Sequence, residues 1–421
     1  MTSTTSKLLL NLRPLSGVWR WSSSSVSHDR KCLTKISRVM KERVEDNTLL
    51  PWCDVVVPNV TYCDYVWDNV RHHGHLPALV CPVSGSVLSH GQVRETALEV
   101  ARSLTTLGLE KGDVVAVVLP NCLEYPTIVL ACLYLGLVLT PINPSYTAPE
   151  ISRQLSSSKA RLMFSHSSLK DKTVKVLGQS PLVQRAVMVG EVQASTDEVM
   201  AWRDFMAVSS GSIPGPGEVD IKRDVAILPY SSGTTGVPKG VMLSQFNMVA
   251  HSYCLSANDP EFIYPAAGSF QDVTIAVLPM YHIYGLGVTM TGCLHHGAKQ
   301  VVMPGFEPGQ FVKLLEEHKP SFLHLVPPLV SFLSNSPQVR PHHLTSLRSI
   351  NSGAAPAGPS LISQFYEKAA EYTVFKEGWG QTELAGGATG IARAYGGVKL
   401  GSVNQLSPNL RLQVKEVRRV T

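Results

Sequence analysis

Residues 230–240 read YSSGTTGVPKG. The hydroxyls of Ser231, Ser232, Thr234 and Thr235 and the glycines Gly233, Gly236 and Gly240 supply many donors with room for close backbone approach, and Lys239 adds a point charge. Such a loop suits a polyphosphate. It is not the GxxxxGK[ST] type, because Pro238 precedes the lysine. A flexible Ser/Gly loop has a similar composition, and the ordered Pro238-Lys239-Gly240 ending sets this one apart. Two further segments carry groups that could work with it. VLPMYHIYG (277–285) holds His282 within an apolar run, and GWGQTE (378–383) places the Thr382 hydroxyl beside the Glu383 carboxylate. Taken singly, His282 reads as a packed core histidine and Glu383 as a surface acid. Beside an anion-binding loop they suit a reaction that brings negative charges together.

These groups need a scaffold that brings distant loops to one point. An apolar strand at 225–229 runs straight into the Ser/Gly loop, and a helix capped by Ser244 follows. Three more apolar strands, around 274–278, 322–326 and 347–350, end in Pro279-Met280-Tyr281-His282, Pro327-Pro328 and Ser352-Gly353-Ala354-Ala355-Pro356. Ligands of open α/β sheets bind beyond the carboxyl ends of the strands, so these loops are expected to converge. Upstream, an amphipathic helix over 92–107, a strand over 114–119, a helix over 124–135, a Pro-rich turn at 141–144 and a helix from Ala148 repeat the βαβ rhythm. The fold class expected is α/β, in layered subdomains. The linker SSGSIPGPG (209–217) divides a first α/β subdomain, 46–217, from a second, 218–421, behind a head of residues 1–45.

With 421 residues, 44% hydrophobic and 16% charged, the chain can bury a large core and exceeds one ordinary domain. Its net charge of +5 comes largely from the first forty residues, where seven Lys or Arg stand against Asp29. The remainder is nearly balanced, so no nucleic-acid partner is expected. The basic, Ser/Thr-rich head, with Trp19 and Trp21 interspersed, reads as a mitochondrial transit peptide, the alternatives being a disordered tail on a cytoplasmic or peroxisomal protein. No transmembrane segment is expected, since the longest apolar stretch, 127–140, is too short to span a bilayer. Eight cysteines without a CxxC pair point to a reduced compartment. The histidine clusters at 72–75 and 342–343 lack a carboxylate or Cys partner and read as surface groups.

In order and spacing, SSGTTGVPKGV, VLPMYHIYG, SGAAPAG and GWGQTE resemble the adenylate-forming family of acyl-CoA synthetases, 4-coumarate:CoA ligases and firefly luciferases. The similarity extends upstream through LEKGDVVAVVLPNCLEY and LTPINPSYTAPEI, over roughly residues 55–410. It implies that Ser231, Ser232, Gly233, Thr234, Thr235 and Gly236 cradle the phosphates of ATP, with Lys239 assisting as pyrophosphate departs. It implies further that His282 sits where the substrate carboxylate meets the α-phosphate, that Thr382 contacts that phosphate, and that Glu383 holds Mg²⁺. Tyr281, Gly353, Ala354, Ala355 and Gly378 match positions lining the acyl and adenine sites. The activity implied is conversion of a small carboxylic acid to an acyl-AMP and then to a CoA thioester, with a medium-chain or aryl-propenoic acid in an apolar pocket. A luciferase-like oxygenating adenylase and a noncatalytic acid- or nucleotide-binding paralogue are the alternatives.

The sequence departs from that pattern in four places. Gln381 stands where Met or Leu is usual, and Glu377 where Gln is common. Gly305 replaces the basic residue that precedes the Phe matched by Phe306 and helps bind CoA in the coumarate-ligase branch. The family continues past the region matched here to a ribose-binding Asp, a hinge and a C-terminal domain with a catalytic Lys, whereas this sequence stops at Thr421; a fragment or truncated splice product is expected.

Overall fold

A computed structural model describes residues 8–9, 44–45, 48–51, 53–192, 195–208, 211–231, 238–390 and 401–414. Most of the basic head lies outside them, as do Ser232, Gly233, Thr234, Thr235 and Gly236. No described helix is long and apolar enough to cross a membrane.

Pro77–Val80 (β1) and Val87–Ser89 (β2) form an antiparallel hairpin. Ser89 then starts α1 (His90–Thr106) with a capping box, its hydroxyl accepting from Gln92 N–H while the Gln92 side chain accepts from Ser89 N–H. Val114–Val118 (β3) follows, an unbroken apolar run buried on both faces, as central parallel strands are. Glu124–Leu135 (α2), at the bounds expected from its pattern, ends at Gly136 in the left-handed conformation (φ 72°). Val138–Pro141 (β4), Ala148–Ser158 (α3), Ala160–His166 (β5), Arg185–Val189 (β6) and Val199–Ala201 (β7) extend the layer.

Past the linker come Val225–Ile227 (β8), Tyr230–Ser231 (β9), Lys239–Gly240 (β10) and Leu243–Ser244 (β11). The large sheet has seven strands in the order β7-β6-β5-β3-β4-β8-β11, and only the β8–β11 pair is antiparallel. The sheets therefore do not divide at residue 217. β8 and β11 follow the linker yet complete the first sheet, and the linker is bonded to α2 by Gly217 N–H to Tyr134 O (2.9 Å) and the Tyr134 hydroxyl to Pro214 O (3.1 Å). In the other direction, β1 precedes the linker and pairs with a strand well beyond it.

Ser244 caps α4 (Gln245–Asn258). Val273–Ala276 (β12) and Lys299–Val302 (β13) join the first hairpin in the order β12-β13-β1-β2. Phe322–Leu325 (β14), Ser349–Ser352 (β15) and Val374–Glu377 (β16) make a three-stranded parallel sheet over a core that includes Phe311, Leu323, Ile350, Phe365 and Phe375. β15 starts two residues later than its apolar pattern suggests. Leu347 is held in a turn by its N–H bond to Leu344 O, and the Arg348 guanidinium is clamped bidentately on buried Asp272 at 2.8 and 2.9 Å.

Candidate active site

The parallel register aligns three strand ends, Leu325, Ser352 and Glu377, and the loops leave from there. Gly353 N–H bonds Leu325 O (3.2 Å) and Gly378 N–H bonds Ser352 O (2.9 Å), carrying the ladder one step past the strands. A Cβ on Gly353 would stand 3.1 Å from the Tyr284 ring and crowd it. Ala354 adopts a left-handed φ of 67°, a strained geometry for a residue with a side chain, and the backbone turns away after it. Ala355 is consequently exposed and outside the cleft lining, contrary to its expected place in the adenine site.

After Gly378 the chain makes a tight hairpin from Gly380–Gln381 (β17) and Gly386–Gly387 (β18), with Thr382 and Glu383 in the turn between. The strands approach so closely that a Cβ on Gly380 would lie 2.2 Å from Gly386 O. Gly387 N–H donates to His251 Nε2 on α4 at 2.8 Å, fixing the hairpin to the helix. Burial drops the His251 pKa to about 4, which keeps the imidazole neutral and able to accept that bond.

From the opposite side, β9 and β10 pair antiparallel, with Ser231 facing Lys239. The Ser231 hydroxyl donates to Glu383 Oε1 at 3.1 Å. That bond joins two motifs separated by 152 positions. His282 lies in the turn closed by its own N–H to Pro279 O (3.1 Å), and its Nδ1 accepts the Tyr284 N–H at 3.1 Å. The neutral ring therefore carries its proton on Nε2 as a donor. The ring is open to the cleft, while the surrounding protein displaces solvent and lowers its pKa. Its neighbour Tyr281 turns the other way and packs against the apolar core beneath the large sheet, so it does not line the cleft.

Ser231, Lys239, His282, Gly353, Ala354, Gly378, Thr382 and Glu383 all border one cleft of about 790 Å³. Four further groups, which sequence reasoning missed, form its floor. His324, Asn351 and Lys376 are register partners across β14, β15 and β16, one residue inside the strand ends, and Asp259 follows α4. Lys376 Nζ meets Asp259 Oδ2 at 2.5 Å, with their side chains 3% and 2% exposed. Burial raises the Asp259 pKa and Lys376 opposes that rise. The expectation of an apolar pocket is thus met on its sides, by Leu255, Phe262 and Val288, but not at its floor. The available signal was a polar or charged residue within an apolar strand, Lys376 in VFKE and His324 in FLHL.

At the mouth, Glu383 is an exposed carboxylate beside hydroxyl donors. Among the described residues no group of three His, Cys, Asp or Glu could enclose a metal ion. One carboxylate does match the habit of Mg²⁺, which takes one or two protein oxygens and completes its shell with phosphate and water.

Comparison with known proteins gives this geometry a lineage. The sequence profile described as AMP-binding enzyme matches residues 66–420. A 4-coumarate–CoA ligase of Humulus lupulus is 31% identical over 333 residues, covering 78% of this chain and 59% of the relative. 4-Coumarate–CoA ligase 3 of Arabidopsis thaliana is 31% identical over 369 residues, covering 86% and 63%. The chain thus spans less than two thirds of these relatives. Among solved structures, a long-chain-fatty-acid-CoA ligase from Archaeoglobus fulgidus superimposes with a TM-score of 0.73 at 24% identity, covering 85% of this chain and 71% of that one. An anthranilate CoA ligase in complex with anthranoyl-AMP does so with a TM-score of 0.72 at 20% identity, covering 83% and 64%. These two show the α/β fold, and the profile match over most of the sequence shows that the chain belongs to the AMP-binding enzyme family.

Proposed function

We propose that the cleft binds ATP and a carboxylic acid and forms an acyl-AMP, the intermediate that CoA then converts to a thioester. The observation that carries this reading is the Ser231–Glu383 hydrogen bond, which sets the base of the phosphate loop against a carboxylate in the cleft that also holds Lys239, His282 and Thr382. A carboxylate oxygen attacks the α-phosphorus, the bond to pyrophosphate breaks, and two anions must approach within bonding distance. Fixed donors offset that repulsion. Lys239 and the Ser231 hydroxyl that faces it serve the departing pyrophosphate, Thr382 the α-phosphate, and the Nε2–H of His282 the oxygens between acid and phosphate. Glu383 would hold Mg²⁺, which supplies charge neutralisation. In the second half-reaction the CoA thiolate attacks the acyl carbon and AMP leaves. The names of the relatives, coumarate and anthranilate CoA ligases, support CoA as acceptor and a small acid as substrate.

Titration calorimetry with an acyl sulfamoyl adenosine, a stable analogue of acyl-AMP, tests this reading. The analogue is expected to bind at least about a hundredfold tighter than AMP or the free acid, because one molecule fills both halves of the site. Affinity no better than that of AMP would contradict it. For residues 1–45 we propose mitochondrial targeting on the strength of their basic, Ser/Thr-rich composition. Fusion to a fluorescent protein should direct it to mitochondria, and a diffuse cytosolic signal would exclude that role.

A further inference from the structure

Just past the end of β3, the Asn121 side chain leaves the seven-stranded sheet and reaches the segment that leads into His282. That segment needs an outside partner. β12 stops at Ala276, yet Leu278 and Met280 remain buried, at 5% and 1% exposure, and Pro279 between them has no N–H to offer. Buried backbone groups beyond the end of a ladder must find partners elsewhere or cost stability.

The Asn121 amide supplies them. Its Oδ1 accepts Met280 N–H at 2.7 Å, and its Nδ2 donates to Leu278 O at 2.9 Å and to Ala276 O at 3.1 Å. One side chain thereby holds the backbone on both sides of Pro279, as a peptide group of a neighbouring strand would. Turning the amide over would set N–H against N–H and oxygen against oxygen, so one orientation alone satisfies all three partners. Asn121 is 3% exposed, and bulk water does not compete for these bonds.

From that anchored point the chain reaches His282 in a single turn. His282 N–H bonds Pro279 O and its Nδ1 accepts Tyr284 N–H, both at 3.1 Å, so the direction of the ring's Nε2–H follows from where Pro279 stands. Asn121 itself does not border the cleft. Building on the acid-activating reading, we propose that Asn121 is a positioning residue for His282: by fixing the backbone at Leu278 and Met280 it aims the Nε2–H at the oxygens shared by acid and phosphate. It touches no reacting atom.

The test titrates coumaroyl and decanoyl sulfamoyl adenosines against the full 421-residue chain by calorimetry. Asn121→Leu keeps the bulk, removes all three bonds, and should weaken the tighter analogue about tenfold to a hundredfold, no more than His282→Ala does. Added to His282→Ala, the same change should cost less than about twofold, because the group it would misplace is gone. Asn121→Asp gives a second arm with a different readout. The introduced carboxylate would face two carbonyl oxygens in a buried site, which raises its pKa, and once protonated it again offers one donor and one acceptor. Relative to the unaltered chain, the affinity of Asn121→Asp should therefore recover severalfold between about pH 8 and about pH 6, with no such recovery for Asn121→Leu. If a urea midpoint shows that Asn121→Leu does not fold, the Asn121→Asp arm decides, and an absent recovery counts against the proposal. Equal losses with and without His282, or full affinity in Asn121→Leu, would overturn it while tight binding by the unaltered chain kept the acid-activating reading. An analogue that bound the unaltered chain no better than AMP would overturn both.

Discussion

Two parallel sheets in this molecule are made by the same βαβ construction and differ in what they bury. In the seven-stranded sheet the central strand VVAVV is apolar on both faces, and its neighbours add Leu139 and Phe164, both fully buried. The three-stranded sheet reads FLHL, SINS and VFKE, and places His324, Asn351 and Lys376 inside the protein. Burying a neutral imidazole, an amide and an ammonium costs stability that apolar side chains would not. The first sheet is organised to hold the fold together, and the second gives up some of that stability to line a cleft.

Breaking the Lys376–Asp259 pair should sharpen this contrast most. Lys376→Met leaves a buried carboxylate alone and is expected to destabilise the protein by about 3–5 kcal/mol. The double change Lys376→Met with Asp259→Leu should restore most of that loss in chemical denaturation. If the single variant proved neutral, the pair would not be the sealed contact described here. Leu139→Ala, in the apolar sheet, should cost about 2–5 kcal/mol through the cavity it leaves, without altering the preference of the cleft for one acid over another. A shift in that preference would mean the two sheets are coupled.

Acid should destabilise the protein through its buried histidines. His90, His251, His296 and His324 have pKa values depressed by burial to about 3, 4, 4 and 3, and none lies on the seven-stranded sheet. Above the unfolded value of about 6.5 they cost nothing. As pH falls from there toward 4 the unfolded chain binds protons that the folded chain refuses, so each histidine removes up to about 1.4 kcal/mol per pH unit. Asp259, whose pKa burial raises, works in the opposite direction. Denaturation midpoints at pH 7, 6 and 5 should fall progressively, and an unchanged midpoint would show that these rings are not sealed from water. The smallest effect expected is that of His251→Leu. It removes the acceptor of Gly387 N–H, and should weaken binding of an acyl-adenylate analogue by about tenfold, since the effect is on where Thr382 and Glu383 sit.

Much of this arrangement could be read in the residues alone, for identifiable reasons. α2 and the Ser244 cap obey local rules, apolar patterning and a serine hydroxyl turned on its own helix, so sequence and structure agree there. The convergence of Ser231, His282 and Glu383 followed from motif order, although nothing in their spacing implied that Ser231 and Glu383 touch. What escaped was non-local. Nothing near residue 217 signals that β8 and β11 return to the first sheet or that β1 pairs with β13 in a four-stranded sheet, because strand pairing is set by packing across the chain. Tyr281 and Ala355 failed to reach the cleft because turns redirected them, and turn direction depends on backbone angles such as the left-handed Ala354. The floor row was hidden because a single Lys or His inside an apolar run acquires meaning only when register sets it beside another.

The account rests on one cleft holding an acyl-adenylate, phosphate at the mouth and acyl tail toward the floor. A crystal structure of the chain with an acyl sulfamoyl adenosine tests that most directly. The expected result places the sulfamoyl group within hydrogen-bond reach of Thr382 and His282, and the acyl tail toward His324, Asn351 and Lys376. A nucleotide bound outside the cleft, or a tail leading away from β14, β15 and β16, would contradict it.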